Sequence, residues 1–253
     1  MDEKNIRLKM STKLDGKDKQ KKIVSMFDQI AGTYDRANRV LSFGIDIIWR
    51  KRACNRSFNL YGQKKIDTII DVACGTGDMM GYWDKQAKAK GIEIHKMLGV
   101  DPSEGMVEVA RKKFPNFNFD ISFATEIHES DKSADILSIT YGIRNVVKRV
   151  EAFKEFNRVL KMGGLVVILE FTKEEKKSMM SGVTSFYLNR VLPKIGGLIS
   201  RNKEAYEYLP DSIDSFLTKT MLEDELREAG FEPLYTKSFS MNISTMFIAK
   251  KIK

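Results

Sequence analysis

The chain has 253 residues, a hydrophobic fraction of 42% and a formal net charge of +9 at pH 7. This length allows one large α/β domain or two small ones, and the apolar fraction is ample for a sizeable core. Cys54 and Cys74 are its 2 cysteines, and neither belongs to a CxxC pair, which argues against a disulfide framework or a metal site. The basic excess favours an acidic partner, such as a nucleic acid or an anionic membrane surface.

The first segment, residues 1–22, is rich in lysine and lacks the apolar core of a secretory signal. Its composition predicts a basic, disordered tail. No apolar run in the sequence reaches the ~20 residues that a membrane-spanning helix needs. We therefore expect a cytoplasmic protein.

Residues 23–61 follow a helical pattern, and strand and helix patterns alternate from residue 66 onward. The predicted strands are residues 66–72, 94–100, 117–123, 135–140 and 165–171, and the predicted helices between them are residues 79–90, 105–113 and 150–160. Such alternation indicates right-handed crossovers and a parallel sheet with helices on both faces.

The alternation is interrupted at residues 173–216, where an apolar stretch contains a proline and a pair of glycines. We interpret this segment as an insertion that covers an apolar pocket, although it would also suit simple packing on the sheet. Its last residues, 211–216, are predicted to be helical. A further helix is predicted at residues 220–230, with Thr220 as its N-cap.

Two final strands are predicted at residues 231–238 and 243–250, joined by a turn at residues 239–242. An antiparallel hairpin at the end of a parallel sheet completes seven strands. The expected fold is therefore a single Rossmann-like α/β domain spanning residues 23–253.

The most informative motif follows the first predicted strand and reads Asp71-Val72-Ala73-Cys74-Gly75-Thr76-Gly77-Asp78. Glycines after a buried strand let the backbone turn tightly and approach a ligand closely. Asp101 ends the second predicted strand, where an acid is placed to accept hydrogen bonds from a ribose diol. A dinucleotide site would need a third glycine at Met80. The pattern therefore favours a cofactor with a single adenosyl group, and S-adenosylmethionine fits best.

Ligands of such sheets bind beyond the carboxyl ends of the strands, so polar and glycine residues at that edge are the candidate cofactor contacts. These residues are Asp71, Gly75, Thr76, Gly77, Asp101 and Thr140. Asp78, at the end of the motif, either lies near the methionine portion of the cofactor or favours a helix N-terminus.

Three further blocks, residues 34–49, 141–146 and 158–172, resemble the ubiquinone/menaquinone C-methyltransferase family. The resemblance extends from about residue 22 to residue 250. It implies a class I S-adenosylmethionine-dependent methyltransferase with an N-terminal helical lid at residues 23–61. Bacterial members of this family methylate demethylmenaquinol or a ubiquinol precursor.

The resemblance also implies the catalytic residues, which are Arg144, Asn145, Tyr34 and Asp78. Arg144 stays protonated at ordinary pH, so we expect it to stabilise a quinol phenolate while a bound water carries the proton away. Asn145 would orient that water or a quinol oxygen, and Tyr34 belongs to the lid. The alternative for Arg144 is a surface ion pair. Glu170, at the end of the fifth predicted strand, has no assigned chemistry.

The sequence departs from the family pattern at several positions. The family usually has methionine in place of Ala37 and histidine in place of Asp46. After the third strand it usually has an acid or asparagine for the adenine amino group, where this chain has Phe123. We therefore expect adenine to be held by stacking and by the backbone of Ala124.

Two other functions remain open. An RNA or DNA methyltransferase would suit the basic charge, but residues 140–143 contain no proline of the kind that amino-methylating enzymes use, and Cys74 lies in the cofactor loop. A non-catalytic S-adenosylmethionine-binding protein would have no need of Arg144 and Asn145. We expect a prenylated quinol substrate, no nucleic acid, and transient contact with the anionic inner face of a membrane; the oligomeric state is left open.

Overall fold

The computed structural model describes residues 16–173, 175, 187–200, 202–240 and 243–253. Residues 1–15 of the predicted tail, most of residues 174–186 in the predicted insertion, and residues 241–242 of the predicted turn lie outside the described residues. Within the described ranges, no helix is long and apolar enough to cross a membrane.

Three helices form the N-terminal part of the described chain: α1 (Gly16–Ile30), α2 (Tyr34–Leu41) and α3 (Ile45–Tyr61). Helix α1 begins at Gly16, so the prediction of a disordered tail is wrong for residues 16–22. Lysine and glutamine are good helix formers. The buried residues Ile23 and Ile30 anchor the helix. The prediction of a tail treated the lysine-rich segment as separate from these apolar residues.

The strands are β1 (Lys65–Val72), β2 (Glu93–Val100), β3 (Asn118–Asp120), β4 (Ala134–Thr140), β5 (Leu160–Glu170), β6 (Phe231–Phe239) and β7 (Ser244–Lys251). The remaining helices are α4 (Asp78–Lys90), α5 (Glu104–Lys113), α6 (Arg149–Val159), α7 (Leu192–Ser200), α8 (Lys203–Asp214) and α9 (Lys219–Glu228). The strands form one sheet in the order β3-β2-β1-β4-β5-β7-β6.

Strands β1 to β5 pair in parallel, and β7 is antiparallel to both β5 and β6. The expected mostly parallel seven-stranded sheet with a C-terminal antiparallel hairpin is therefore confirmed. Val72 pairs with Val100 of β2 and Ile139 of β4, so these three strands end at the same edge. The register thus brings the loops after β1, β2 and β4 together.

The sheet is covered by an apolar cluster on each face. One cluster contains Phe153, Phe156 and Phe231, and the other contains Phe58 and Trp83. Burial on both faces explains why the central strands read as continuous apolar runs rather than as alternating patterns.

Several predicted boundaries differ from the structure. Strand β3 covers only residues 118–120 of the predicted 117–123, and α8 covers residues 203–214 where a helix was predicted at 211–216. The N-cap of α9 is Thr218, whose hydroxyl accepts a hydrogen bond from the Met221 N–H, so the assignment of this cap to Thr220 is wrong. Thr220 instead bonds Glu175.

Asp71 is a buried acid beneath the loop that follows β1. The Trp83 Nε1–H donates to Ser138 Oγ over 3.0 Å, and the Ser138 hydroxyl donates to Asp71 Oδ1 over 2.6 Å. Burial raises the pKa of Asp71 to about 7, against the hydrogen bond from Ser138 and the charge of Arg50. This chain of hydrogen bonds joins α4, β4 and β1 directly under the cofactor loop.

The raised pKa of Asp71 predicts a specific pH dependence of stability. Because the native state binds the proton more tightly than the unfolded chain, the stabilisation is complete below about pH 4 and is lost as the pH rises through about 7. In Asp71→Asn this loss should disappear. Between pH 5 and pH 8, we expect the unfolding free energy of the wild type to fall relative to the variant by roughly 2 kcal/mol.

Denaturant unfolding at the two pH values measures this difference, and Glu108→Gln, which alters an exposed carboxylate, is the matched control. Parallel pH dependence in the wild type and Asp71→Asn would show that Asp71 is ionised at little cost in the native protein.

Candidate active site

A cavity of about 380 Å³ lies at the carboxyl ends of the parallel strands. Its wall is formed by the loops after β1, β2, β3 and β4 and by one side of helix α1. Among the predicted site residues, those that line it are Tyr34, Gly75, Asp101, Ala124, Thr140 and Asn145. The sheet edge thus brings together six of the eleven predicted residues.

Asp101 holds the glycine loop in place. Its Oδ2 accepts the Gly75 N–H over 2.8 Å and its Oδ1 accepts the Ser103 N–H over 2.9 Å. Burial raises the pKa of Asp101 to about 6, against these two backbone hydrogen bonds. Each carboxylate oxygen has a second lone pair, so Asp101 can hold the loop and still accept a hydrogen bond from a ligand.

Gly75 adopts a positive φ of 54°, and a Cβ built there would meet no atom within 4 Å. Because Gly75 lines the cavity, a larger side chain would occupy space that a ligand needs. Thr140 supplies a polar atom nearby: its Oγ1 is buried and has no hydrogen-bond partner among the described residues. Both features indicate a wall that is shaped for a polar ligand.

The structure does not bring Asp71, Thr76 or Gly77 to the cavity wall. The Thr76 hydroxyl donates to Asp35 Oδ1 of α2 over 2.5 Å. Gly77 has a φ of 79°, and a Cβ there would lie 3.0 Å from the Phe114 ring. Thr76 and Gly77 therefore hold the loop against Asp35 and Phe114, through contacts that are not part of the cavity wall.

Asp78 is also remote from the cavity wall and lies in a cluster of ion pairs. It pairs with Arg39 of α2 and with Lys113 of α5. Burial alone would raise the pKa of Asp78, but the hydrogen bond from Lys113 and the charges of Lys113 and Arg39 lower it overall. Lys113 also contacts Asp35 over 2.8 Å. Asp78 is the first residue of α4, where a negative charge is favourable.

The same cluster continues through Asp46, the residue at which the family usually has histidine. Asp46 pairs with Arg39 and with Arg50 one helical turn later on α3. The Arg50 guanidinium lies 5.3 Å from the centroid of the Tyr141 ring, which lines the cavity. Sequence reasoning missed Arg50, although its spacing from Asp46 is that of an intrahelical ion pair.

Arg144 does not line the cavity and is paired with Glu170 in the protein interior. Their side chains are 7% and 0% exposed, so the alternative of a surface ion pair is wrong. Arg144 also donates to the Tyr141 carbonyl over 2.9 Å and to Ser212 Oγ of α8 over 3.3 Å. Burial raises the pKa of Glu170, against the positive charge of Arg144.

Asn145, the neighbour of Arg144, does line the cavity. Its Oδ1 accepts the Tyr208 hydroxyl of α8 over 3.1 Å. Two residues later, the Val147 N–H donates to Gln20 Oε1 of α1 over 3.0 Å. The loop after β4 is thus held by α8, within the predicted insertion, and by α1.

Tyr34 lies in the cavity wall, where burial and nearby charges act on its phenol. Its ring packs edge-on against Phe27, with 6.1 Å between centroids. Burial raises the pKa of the Tyr34 phenol, and the charges of Arg144 and Arg50 act in the opposite direction. The pKa of Tyr34 is raised overall, so burial outweighs the two guanidinium charges at this wall.

Helix α1 contributes wall residues that sequence reasoning assigned to the tail: Gly16, Lys17, Gln20 and Lys21. The helix is fixed by Asp28, whose Oδ1 accepts the Ser103 hydroxyl over 2.6 Å and the Gly105 N–H over 3.0 Å. Phe123 also lines the cavity, and 43% of its surface is exposed.

Solved structures with a similar fold include methyltransferases. One is described as a S-adenosylmethionine-dependent methyltransferase, possible histamine N-methyltransferase, from Thermotoga maritima, with a TM-score of 0.60, 20% identity and coverage of 90% of this chain and 99% of that one. Another is a putative methyltransferase in complex with the Trm112 activator from Haloferax volcanii, with a TM-score of 0.62, 17% identity and coverage of 90% and 98%. At these identities the likeness shows the fold.

Relatives found by sequence have higher identity to this chain than these solved structures. A ubiquinone/menaquinone biosynthesis C-methyltransferase UbiE from Campylobacter jejuni is 54% identical over 92% of this chain and 99% of its own length. A UbiE from Rickettsia bellii is 37% identical over 95% and 96%, and a demethylmenaquinone methyltransferase from Chlorobaculum parvum is 36% identical over 90% and 92%. Residues 15–251 match the family model. With this match over nearly its whole length, the chain belongs to the ubiE/COQ5 methyltransferase family.

Proposed function

We propose that this protein methylates a ring carbon of a prenylated quinol and that its substrate is demethylmenaquinol, in menaquinone biosynthesis. Family membership makes it a S-adenosylmethionine-dependent C-methyltransferase of quinone biosynthesis. The choice of demethylmenaquinol is supported by a relative that is named for that reaction. The observation that carries the proposal is the position of Tyr34 and Asn145 in the wall of the cavity at the strand ends, in a chain of the ubiE/COQ5 methyltransferase family.

S-adenosylmethionine is the cofactor, and the residues of the cavity fit it. We propose that Gly75, Asp101, Thr140 and the backbone of Ala124 hold the adenosyl group, with Phe123 stacked on adenine. The open space at Gly75 and the unpartnered hydroxyl of Thr140 support this arrangement. Asp71, Thr76 and Gly77 then act by supporting the loop. The sulfonium supplies an electrophilic methyl carbon, so the protein has to hold the acceptor carbon in line with it.

A quinol ring carbon becomes nucleophilic when a neighbouring hydroxyl loses its proton. We propose that the positive charges of Arg144 and Arg50, which act on the Tyr34 phenol against the larger effect of burial, offset part of the cost of ionising a quinol hydroxyl beside Tyr34. Since Arg144 lies behind the wall, we propose that it favours the phenolate through its field rather than by direct contact. Asn145, in the wall, orients the quinol oxygen or the water that takes its proton, and Asp78 acts only through the ion pairs of the lid.

A prenylated substrate resides in a bilayer, so the protein has to reach a membrane surface. We propose transient binding of a cytoplasmic protein to the anionic inner face of the membrane. The net charge of +9 supports such binding, because basic residues are attracted to anionic lipid. No nucleic-acid partner is proposed.

The proposed reaction is tested with methyl-labelled cofactor. We expect label to enter a lipid-extractable product when demethylmenaquinol is supplied, and no label to enter total RNA. Equal transfer to a demethylated benzoquinol would broaden the substrate class to both pathways. Labelled RNA without labelled quinol would overturn the proposal.

Removal of the Asp101 carboxylate should weaken cofactor binding. Asp101→Ala frees the Gly75 and Ser103 N–H groups and deletes the acceptor offered to the ribose. Hydrogen bonds to charged groups contribute about 1.5–3 kcal/mol, so we expect the dissociation constant to rise roughly 10- to 150-fold. Isothermal calorimetry measures it, with Glu108→Ala as an exposed control. Unchanged affinity in Asp101→Ala would remove Asp101 from the cofactor site.

The role of Arg144 is tested together with its partner. Arg144→Gln leaves Glu170 buried without a cation, which costs about 3–5 kcal/mol of stability. The double variant Arg144→Gln/Glu170→Gln removes both charges, so we expect it to melt at a higher temperature than the single variant. If the charge of Arg144 favours the quinol phenolate, turnover of the double variant stays at least ~100-fold below wild type.

A pH series separates this electrostatic role from a structural one. As the pH rises toward the quinol's own pKa, the substrate ionises unaided, and we expect turnover of the double variant to recover toward that of wild type. A double variant with near-normal turnover at neutral pH would reduce Arg144 to a structural ion pair.

A further inference from the structure

We propose that the turn between α2 and α3, together with α7, forms the surface that inserts into an anionic bilayer and passes the substrate's tail to the cavity. We call this surface the docking tip; its apolar residues are Val40, Phe43, Ile45, Ile48, Ile195 and Leu198. The proposal rests on the proposed function, because the tip would take up a prenylated quinol from the bilayer.

The docking tip exposes large apolar side chains to an unusual degree. Phe43 is 78% exposed and Leu198 is 82% exposed. Helix α2 contacts α7. Tyr187, five residues before α7, also bonds the turn: its hydroxyl donates to the Leu41 carbonyl over 2.6 Å and its ring lies 6.3 Å from that of Phe43. A clustered apolar surface of this kind marks an interaction site, whereas single exposed apolar residues are ordinary.

The backbone holds Phe43 outward at a cost. Phe43 has a φ of 52° and is followed by Gly44 with a φ of 73°. A bulky residue in the left-handed region is a genuine outlier. Since the ring is largely exposed, packing within the protein does not offset the cost of this backbone conformation. Burial of the ring in an apolar phase would offset it.

Basic residues follow the apolar ones along α3. Ile45, Ile48, Arg52 and Arg56 are spaced by three and four residues, so they share one face of α3. At 1.5 Å per residue, Arg52 and Arg56 lie about 6 and 12 Å along the axis from Ile48. Apolar faces of interfacial helices insert about 5–10 Å, with basic residues above them.

The basic level extends beyond α3. Arg52 and Arg56 stack over Phe239 and Tyr235 of the neighbouring hairpin, with 5.7 and 4.3 Å to the ring centroids, and Lys237 shares the groove between them. Within the part of the chain that the structure describes, neither arginine has an acidic partner within ion-pair distance. Their positive charge is therefore available to anionic lipid.

An apolar cluster lies between the tip and the cavity. It contains Phe27, Tyr34 and Met106, which line the cavity, and also Leu41 and Tyr187, which meet the tip. The tip and the cavity wall therefore belong to one packed apolar unit.

A bilayer suits these features better than the other occupants. In a second copy of the chain, the arginines beside the tip would face one another and repel, since like charges in contact are unfavourable. A nucleic acid would use the arginines but would give no reason to expose Phe43 and Leu198.

The apolar part of the tip is tested by vesicle sedimentation. Phe43→Asn/Leu198→Gln removes both exposed side chains, and asparagine tolerates the positive φ at position 43. We expect its affinity for mixed phosphatidylcholine–phosphatidylglycerol vesicles to fall at least ~10-fold, because two large apolar side chains no longer leave water on binding. Val150→Gln/Met162→Gln, which alters two apolar residues that are also more than half exposed, is the matched control and should bind normally.

The basic part is tested with the same vesicles and in rising salt. At about 1 kcal/mol for each basic residue, Arg52→Gln/Arg56→Gln should bind anionic vesicles roughly 30-fold more weakly and with a shallower salt dependence. The control with the same change in net charge is Lys112→Gln/Lys154→Gln, on α5 and α6, and we expect a clearly smaller effect.

Thermal melting establishes that each variant is folded. The proposal is overturned if Phe43→Asn/Leu198→Gln binds vesicles like wild type, if the controls lose as much, or if sedimentation shows a dimer that this variant dissociates. Methylation of a short-tailed, soluble quinol by the wild type tests the proposed function separately. A tip variant should lower the ratio of activity on vesicle-borne to soluble substrate.

Discussion

The site depends on the carboxylate of Asp101, which ties two loops to one point at the end of β2. It fixes the glycine loop through Gly75 and the start of α5 through Ser103. The Ser103 hydroxyl in turn holds Asp28 of α1. A single buried acid therefore sets the relative positions of the cofactor loop and of the helix that closes the cavity.

The ion pairs beside the glycine loop are partly buried, so their positive and negative charges have to balance. The cluster around Asp78 joins three cations, Arg39, Arg50 and Lys113, to three carboxylates, so it carries little net charge despite its partial burial. Such pairs stabilise weakly, because desolvation offsets much of their attraction. Their stronger effect is geometric: they fix α2 and α3 against α4 and α5, and they hold the Arg50 guanidinium over the Tyr141 ring in the cavity wall.

Local sequence patterns were sufficient for some of these features and not for others. The glycine loop and Asp101 were predictable, because a buried strand followed by glycines, or ended by an acid, is a signal contained in a few adjacent residues. Glu170 as the partner of Arg144 was not, because that contact joins residues 26 apart on adjacent elements. The wall role of residues 16–21 was missed because their lysines suggested a tail, whereas the anchoring apolar residues come one or two turns later.

Helix α2 links the cavity wall to the surface that carries the docking tip. It has Tyr34 at one end, in the cavity wall, and Leu41 at the other, bonded to Tyr187 beside the docking tip. Its 8 residues span about 12 Å. Arg39, near the C-terminal end of α2, pairs with Asp46 of α3 and Asp78 of α4. The ion-pair cluster therefore fixes the position of α2, and with it the distance between Tyr34 and the tip.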